Sequence, residues 1–322
     1  MDFSKLRLTY NNYPTIGFHF SKHDSIYETI QAVNYTPLNA FQIYIANPRM
    51  YNMGPNCCIN TIDLINSKNL IEDKHLYGCI HGCLLSNLAG STKGILDPKY
   101  TIKLNNTRSC IINELDTGSA MNIGVVVHTG ICFDKKFGLH NIAQSINYIL
   151  SGEGKHTSNI SRDYMMGLED FKKNRRLILE NGAGEGNDLG TTLENLSIIM
   201  SNISPSLQNQ LSICIDTQHI YSAGQYDFGD KESTTKFYSD FNNQIGIDKL
   251  KMFHLNDSKV PWNSNVDLHG DYLGSGYIFN SPEKIKNLKY FIELAMLYNI
   301  PLIGEPKLSG MLDYNLITNL LK

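Results

Sequence analysis

Nine side chains of metal-ligand type stand just past short apolar runs: His81, His128, Glu180, Asp216, His219, His254, Asp267, His269 and Glu305. Neutral imidazole and ionised carboxylate are the ligands of zinc, manganese and iron. Buried without partners, such groups are costly, and a bound metal removes that cost. A single zinc takes about four ligands, so nine imply a cluster of ions. Two local spacings agree. Asp216-Thr-Gln-His219 sets a histidine three residues after a carboxylate, where a strand is expected to turn into its loop. Asp267-Leu-His269 places two ligands on one side of an extended segment, because side chains there alternate.

Eight apolar runs must position these groups. They are Ile16–Phe20, Ala40–Ile45, Tyr77–His81, Gly124–His128, Leu177–Glu180, Leu211–Asp216, Lys251–Leu255 and Pro301–Glu305. Continuous apolar runs suit parallel strands buried on both faces. Helical patterns lie between them, among them Ile26–Val33, Leu139–Leu150, Thr192–Ile203 and Pro282–Tyr298. Thr191 or Asp188 could cap the third, and Ser281-Pro282 fits a cap followed by proline in the first turn. Eight alternating units predict an α/β fold, a single-domain (β/α)8 TIM barrel with its chemistry at the carboxyl ends of the strands. His19, His23, His75, His140 and His156 lack such a setting and read as surface or core histidines.

The chain has 322 residues, 42% hydrophobic and 18% charged, which suits one globular domain, 1–322, with a sizeable core. A net charge of −3 gives no general attraction to nucleic acid, so DNA would be drawn by a local patch or by bound metal. Seven scattered cysteines without a CxxC pair, Cys57 and Cys58 adjacent, read as reduced thiols. That suggests a reducing compartment, whether cytoplasm, nucleus or a viral replication compartment, and no secretion. Cys79 and Cys83 flank His81, but a thiolate zinc site there would lack a second ligand pair. No charged region leads into an apolar core at the N-terminus, so no signal peptide is expected. No apolar stretch nears the ~18 residues that span a membrane. The loop at 151–176 is rich in Gly, Ser, Asn and Lys, and its Lys172–Arg176 run could bind phosphate or be a solvated strand lead-in. The glycines after Glu180 lack the Lys-Ser/Thr of a P-loop and instead let backbone pass close to a metal or substrate.

In order along the chain, Gly17-Phe-His-Phe-Ser21, Ala46-Asn-Pro-Arg49, Val127-His-Thr-Gly130, Leu179-Glu-Asn-Gly-Ala-Gly184 and Cys214-Ile-Asp-Thr-Gln-His219 form a series. Phe253-His-Leu-Asn-Asp-Ser-Lys259, Val266-Asp-Leu-His269, Leu273-Gly-Ser-Gly276 and Ile303-Gly-Glu-Pro306 continue it. This series resembles the endonuclease IV type of apurinic/apyrimidinic (AP) endonucleases, over a core of about 16–307. The resemblance implies three Zn2+ ions, with Mn2+ or Fe2+ able to replace one or more. His81 and His128 would bind the first, and Glu180 would bridge it to the second. Asp216, His254 and Glu305 would complete the second, and His219, Asp267 and His269 would hold the third. It further implies a monomer that acts on double-stranded DNA. A zinc-activated hydroxide, oriented by Glu180 or Glu305, would hydrolyse the phosphodiester 5′ to an abasic site and leave a 3′-hydroxyl. Removal of 3′ blocking groups is implied as well.

The chain departs from the family after His81. The usual Asp-Ser-Tyr-Leu is Gly82-Cys83-Leu84-Leu85 here. An apolar wedge can still pry open a base step, so Leu84 and Leu85 remain candidates for DNA contact, with Arg49 and Lys259. Leu268 replaces a residue that is often basic. Competing readings are a xylose-isomerase-like sugar isomerase or epimerase, a UV-damage endonuclease, and a DNA-binding module on a dead barrel. An isomerase needs only one or two metals and a proton-transfer pair, and a dead barrel would be expected to have lost ligands.

Overall fold

The computed structural model describes residues 13–21, 24–51, 59–90, 98–152, 171–308 and 310–322. Eight parallel strands close in sequence order, β1 pairing with both β2 and β8. They are β1 (Ile16–Phe20), β2 (Ala40–Ile43), β3 (Tyr77–His81), β4 (Gly124–His128), β5 (Leu177–Glu180), β6 (Leu211–Asp216), β7 (Leu250–His254) and β8 (Leu302–Gly304). Around them run α1 (Ile26–Asn34), α2 (Thr61–Asp73), α3 (Pro98–Met121), α4 (Lys135–Ser151), α5 (Leu193–Ser201), α6 (Thr217–Ser222), α7 (Lys231–Gln244), α8 (Pro282–Leu297) and α9 (Gly310–Leu321). The expected TIM barrel is present. Cys57, Cys58, His23, His156 and the 153–170 stretch of the long loop lie outside the described residues.

Period-two alternation divides the apolar residues into two cores. Outward-facing Ile80, Val125, Val127, Leu179, Ile213 and Phe253 pack against the helices. Inward-facing Ala40, Cys79, Val126, Ile178, Cys214, Met252 and Ile303 form a second, smaller cluster inside the barrel. Two residues further along each of these strands, toward the mouth, lie Gln42, His81, His128, Glu180, Asp216, His254 and Glu305. On β1 the same step leads from Gly17 to His19, which are in register with Ala40 and Gln42. Glycine is required at position 17 because a Cβ would run into the Ala40 carbonyl. The eight strands thus direct apolar groups into the barrel and polar groups to its rim.

Several local expectations need adjustment. β2 stops at Ile43, and β8 stops before Glu305, which stands just past the strand. The cap of α5 is Thr192, whose Oγ1 accepts from the Asn195 N–H at 3.1 Å. Asp188 instead accepts from the Ala183 N–H at 3.1 Å and braces the glycine turn. Ser281 caps α8 as expected. His219 is on a helix and not in a loop: Asp216 caps α6, its Oδ1 accepting from the N–H groups of Gln218 and His219 at 2.6 and 3.1 Å. The ligand spacing Asp-x-x-His is therefore also a helix start. Arg175, from the basic run, is fully buried against Asp116, so its guanidinium is not presented at the surface where a phosphate could reach it.

Candidate metal centre

Glu180 is the hub of the barrel mouth and is buried. Its Oε2 lies 3.6 Å from His81 Nε2 and 3.6 Å from His128 Nε2. Its Oε1 lies 2.8 Å from His254 Nδ1 and 3.6 Å from His219 Nδ1. Strand register contributes directly, since His128 pairs with Glu180 and Asp216 with His254. Asp216 Oδ2 stands between two groups, 3.9 Å from His254 Nδ1 and 3.5 Å from His269 Nε2. Asp267 Oδ1 faces His219 Nε2 at 3.3 Å and His269 Nε2 at 3.5 Å. Glu305 Oε2 is 3.7 Å from His254 Nδ1 and 3.9 Å from His269 Nδ1. All nine candidate ligands therefore meet in one continuous cluster.

Backbone and amide groups orient the rings. His81 Nδ1 faces the Gly82 carbonyl at 2.9 Å, and His219 Nδ1 faces the Asn181 carbonyl at 2.9 Å. A carbonyl can only accept, so each Nδ1 carries a proton, which leaves Nε2 as the nitrogen available to a metal. Asn181 Oδ1 also accepts from the Asp216 N–H at 2.7 Å. Asn256 donates to Asp216 Oδ2 at 2.7 Å and accepts from the Glu305 N–H at 2.8 Å. Burial pushes the Glu180 carboxyl up, but the surrounding imidazoles, His254 first, outweigh it and hold Glu180 well below the usual range. For His219, burial favours the neutral ring, and the Asp216 and Asp267 carboxylates outweigh it, raising the ring well above its ordinary value.

The donor set fits divalent metal. Three groups of three donors lie close enough to share an ion: His81, His128 and Glu180; Asp216, His219 and His269; Glu180, Asp216 and His254. Glu180 Oε2, His219 Nε2 and His269 Nε2 are buried without a hydrogen-bond partner in the structure, the condition a metal would relieve.

Two residues at the rim were missed in the sequence. Gln42 is fully buried and touches both Glu305 and His254. His19, expected to be an ordinary surface or core histidine, lies 3.9 Å from Glu305 and its ring centroid 4.3 Å from that of Tyr44. The available signal was positional: each stands two residues after an inward-facing strand residue, as the six strand-end candidate ligands do. Of the expected DNA contacts, Leu84 and Leu85 are exposed on the lip of a groove of about 1020 Å³ that reaches His128 and Asp267. Arg49 is exposed, whereas Lys259 is engaged by Asp271 at 3.1 Å. Cys79 and Cys83 are buried and belong to none of the metal-capable groups among the described residues.

Glu114 anchors the turn that carries Leu84 and Leu85. Its Oε1 accepts from the Cys83 N–H at 2.9 Å, and Leu84 N–H donates to the Pro48 carbonyl at 2.9 Å. Burial, aided by the neighbouring Cys83, raises the Glu114 carboxyl to about 8 from an ordinary 4.5. Between those values the folded chain holds a proton that the unfolded chain releases, so this group's contribution to stability falls as pH rises. The expected loss approaches about 1.4 kcal/mol per pH unit in that window. Glu114→Gln cannot titrate, so the stability difference, variant minus wild type, should grow from pH 5 to 8 in urea unfolding. Parallel curves would show that Glu114 is ionised in the fold.

A closed (β/α)8 barrel with a buried histidine–carboxylate cluster at its carboxyl mouth defines a metal-site barrel protein. The chain belongs to the AP endonuclease 2 family, described as a xylose isomerase-like TIM barrel, whose model matches residues 62–291. It is 27% identical over 300 residues to "Probable endonuclease 4" of Halothermothrix orenii, covering 92% of this chain and 94% of that one. To "Apurinic-apyrimidinic endonuclease 1" of Saccharomyces cerevisiae it is 27% identical, covering 81% of this chain and 64% of the relative. Among solved structures, endonuclease IV from Thermus thermophilus superposes with a TM-score of 0.74 at 21% identity, covering 96% of this chain and 99% of that one. The resemblance to the endonuclease IV type is thereby met.

Proposed function

We propose that this chain is a DNA-repair AP endonuclease that hydrolyses the phosphodiester 5′ to an abasic site, leaves a 3′-hydroxyl and also clears blocked 3′ ends. The convergence of nine ligand-type side chains on Glu180, Asp216 and Glu305, at the inner end of an open groove, carries the reading. The relatives' names agree with it. His81, His128 and Glu180 would hold one zinc. Glu180, Asp216, His254 and Glu305 would hold a second, and His219, Asp267 and His269 a third. Metal in these positions supplies Lewis acidity toward phosphoryl oxygens and lowers the pKa of water.

The chain's own residues supply the rest. Glu180 and Glu305, as ionised carboxylates, accept hydrogen bonds from the attacking water and orient it. Leu84 and Leu85 press on the base step beside the lesion, and Arg49 neutralises backbone phosphate. With a net charge of −3, attraction to DNA is confined to the mouth. The protein works as a monomer and a single domain, its barrel core at 16–307. No helix of the described residues is long and apolar enough to cross a membrane.

Purified protein should incise a duplex carrying an abasic analogue, lose that activity in chelator and regain it with zinc. Metal analysis should find about three ions per chain. A Leu84→Ser/Leu85→Ser variant should keep its metal and bind abasic duplex about tenfold more weakly, roughly 1.4 kcal/mol. An unchanged affinity removes the two leucines from the DNA interface. Ketose isomerisation without DNA incision would overturn the function.

A further inference from the structure

Gln42 is fully buried on the inner wall of the mouth and makes four polar contacts. Its Nε2 donates to Glu305 Oε1 at 2.5 Å and approaches His19 Nδ1 at 3.1 Å. Its Oε1 faces His254 Nε2 at 2.8 Å and accepts from Cys79 Sγ at 3.3 Å. The amide can sit in only one sense. Rotating it by half a turn would place its carbonyl oxygen against the Glu305 carboxylate, two acceptors facing each other. In the sense observed, the carbonyl must accept from His254, so the proton of that ring is on Nε2. That leaves Nδ1 as the nitrogen available to a metal: it faces Asp216 and Glu305 and meets Glu180 Oε1 at 2.8 Å, the contact a bound ion would replace. The same amide occupies Glu305 Oε1 and leaves Oε2 turned toward His254 and His269.

We propose that Gln42 is a positioning residue: one side-chain amide selects both the ligand nitrogen of His254 and the ligand oxygen of Glu305. It thereby sets the affinity of the metal position those two share. Glutamine suits the role because it is a donor and an acceptor at once and adds no charge beside two carboxylates. This inference rests on His254 and Glu305 being metal ligands. Partners that orient ligands in this way typically change metal affinity about 10–100-fold.

The test is competition between the protein and a chromophoric chelator for zinc, with metal-free melting measured alongside. Gln42→Met keeps the volume and loses the amide's hydrogen bonds to His254 and Glu305. It should melt within about 3 °C of wild type, roughly 1 kcal/mol, yet bind one of its ions about 10–100-fold more weakly. Gln42→Glu keeps an acceptor for His254 but sets a carboxylate against Glu305, and should also bind that ion more weakly. A packing role alone would leave zinc affinity unchanged in both variants. Wild-type affinity in Gln42→Met and Gln42→Glu overturns the inference while leaving the metal reading intact. Failure of the wild type to bind zinc overturns both.

Discussion

Glu180→Gln should reduce incision of abasic duplex by about three orders of magnitude, roughly 4 kcal/mol of transition-state stabilisation. The amide is nearly the same shape, so the fold and the groove should survive. What disappears is charge. Glu180 Oε2 is the oxygen that His81 and His128 both face at 3.6 Å, and Oε1 is the one that His254 meets at 2.8 Å. A neutral amide is a poor metal ligand and cannot bridge two ions. It also leaves the ligand cluster without its central anion. The bound metal should therefore fall below wild type in the same preparation that has lost activity. Incision at the wild-type rate with full metal content would show that Glu180 serves neither purpose.

Asp116→Ala should destabilise the fold by about 3–5 kcal/mol, the effect of removing one partner from a buried ion pair. Arg175 and Asp116 are both fully buried. Arg175 Nε and Nη2 donate to Asp116 Oδ1 at 2.9 and 2.7 Å, and Nη1 donates to the Ile149 carbonyl at 2.8 Å. This joins α3 and the end of α4 to the lead-in of β5, the strand that ends at Glu180. Alanine at 116 would leave a guanidinium in an apolar layer without its carboxylate. The double variant Asp116→Leu/Arg175→Met removes both charges and should recover most of the loss. Urea unfolding of the three proteins decides the matter. A loss below about 1 kcal/mol for Asp116→Ala would match a solvent-screened surface pair and contradict the burial.

Arg175 also shows where local reading stops. In the sequence it is one of five residues in a basic run, and nothing nearby distinguishes it from Arg176, which is exposed. Its partner lies 59 residues earlier, on a helix. His219 offers a milder case. Its residue type and spacing from Asp216 were plain, but the α6 helix that carries it depends on Asp216 acting as cap.

The sequence by itself determined the eight strands, their parallel order and the ligand types at their ends, because these are local, period-two properties of short segments. Only the tertiary structure decided which rim residues meet. Gln42 reaches His254 across 212 residues of sequence and Glu305 across 263. Asp216, expected to complete one ligand set, also faces His269 from another. His19 became part of the rim because β1 closes the barrel against β8. The physical reason is that alternation says which side of a strand a side chain takes, whereas barrel closure and stagger set its height and its neighbours. Those are properties of all eight strands together and are written in no single segment.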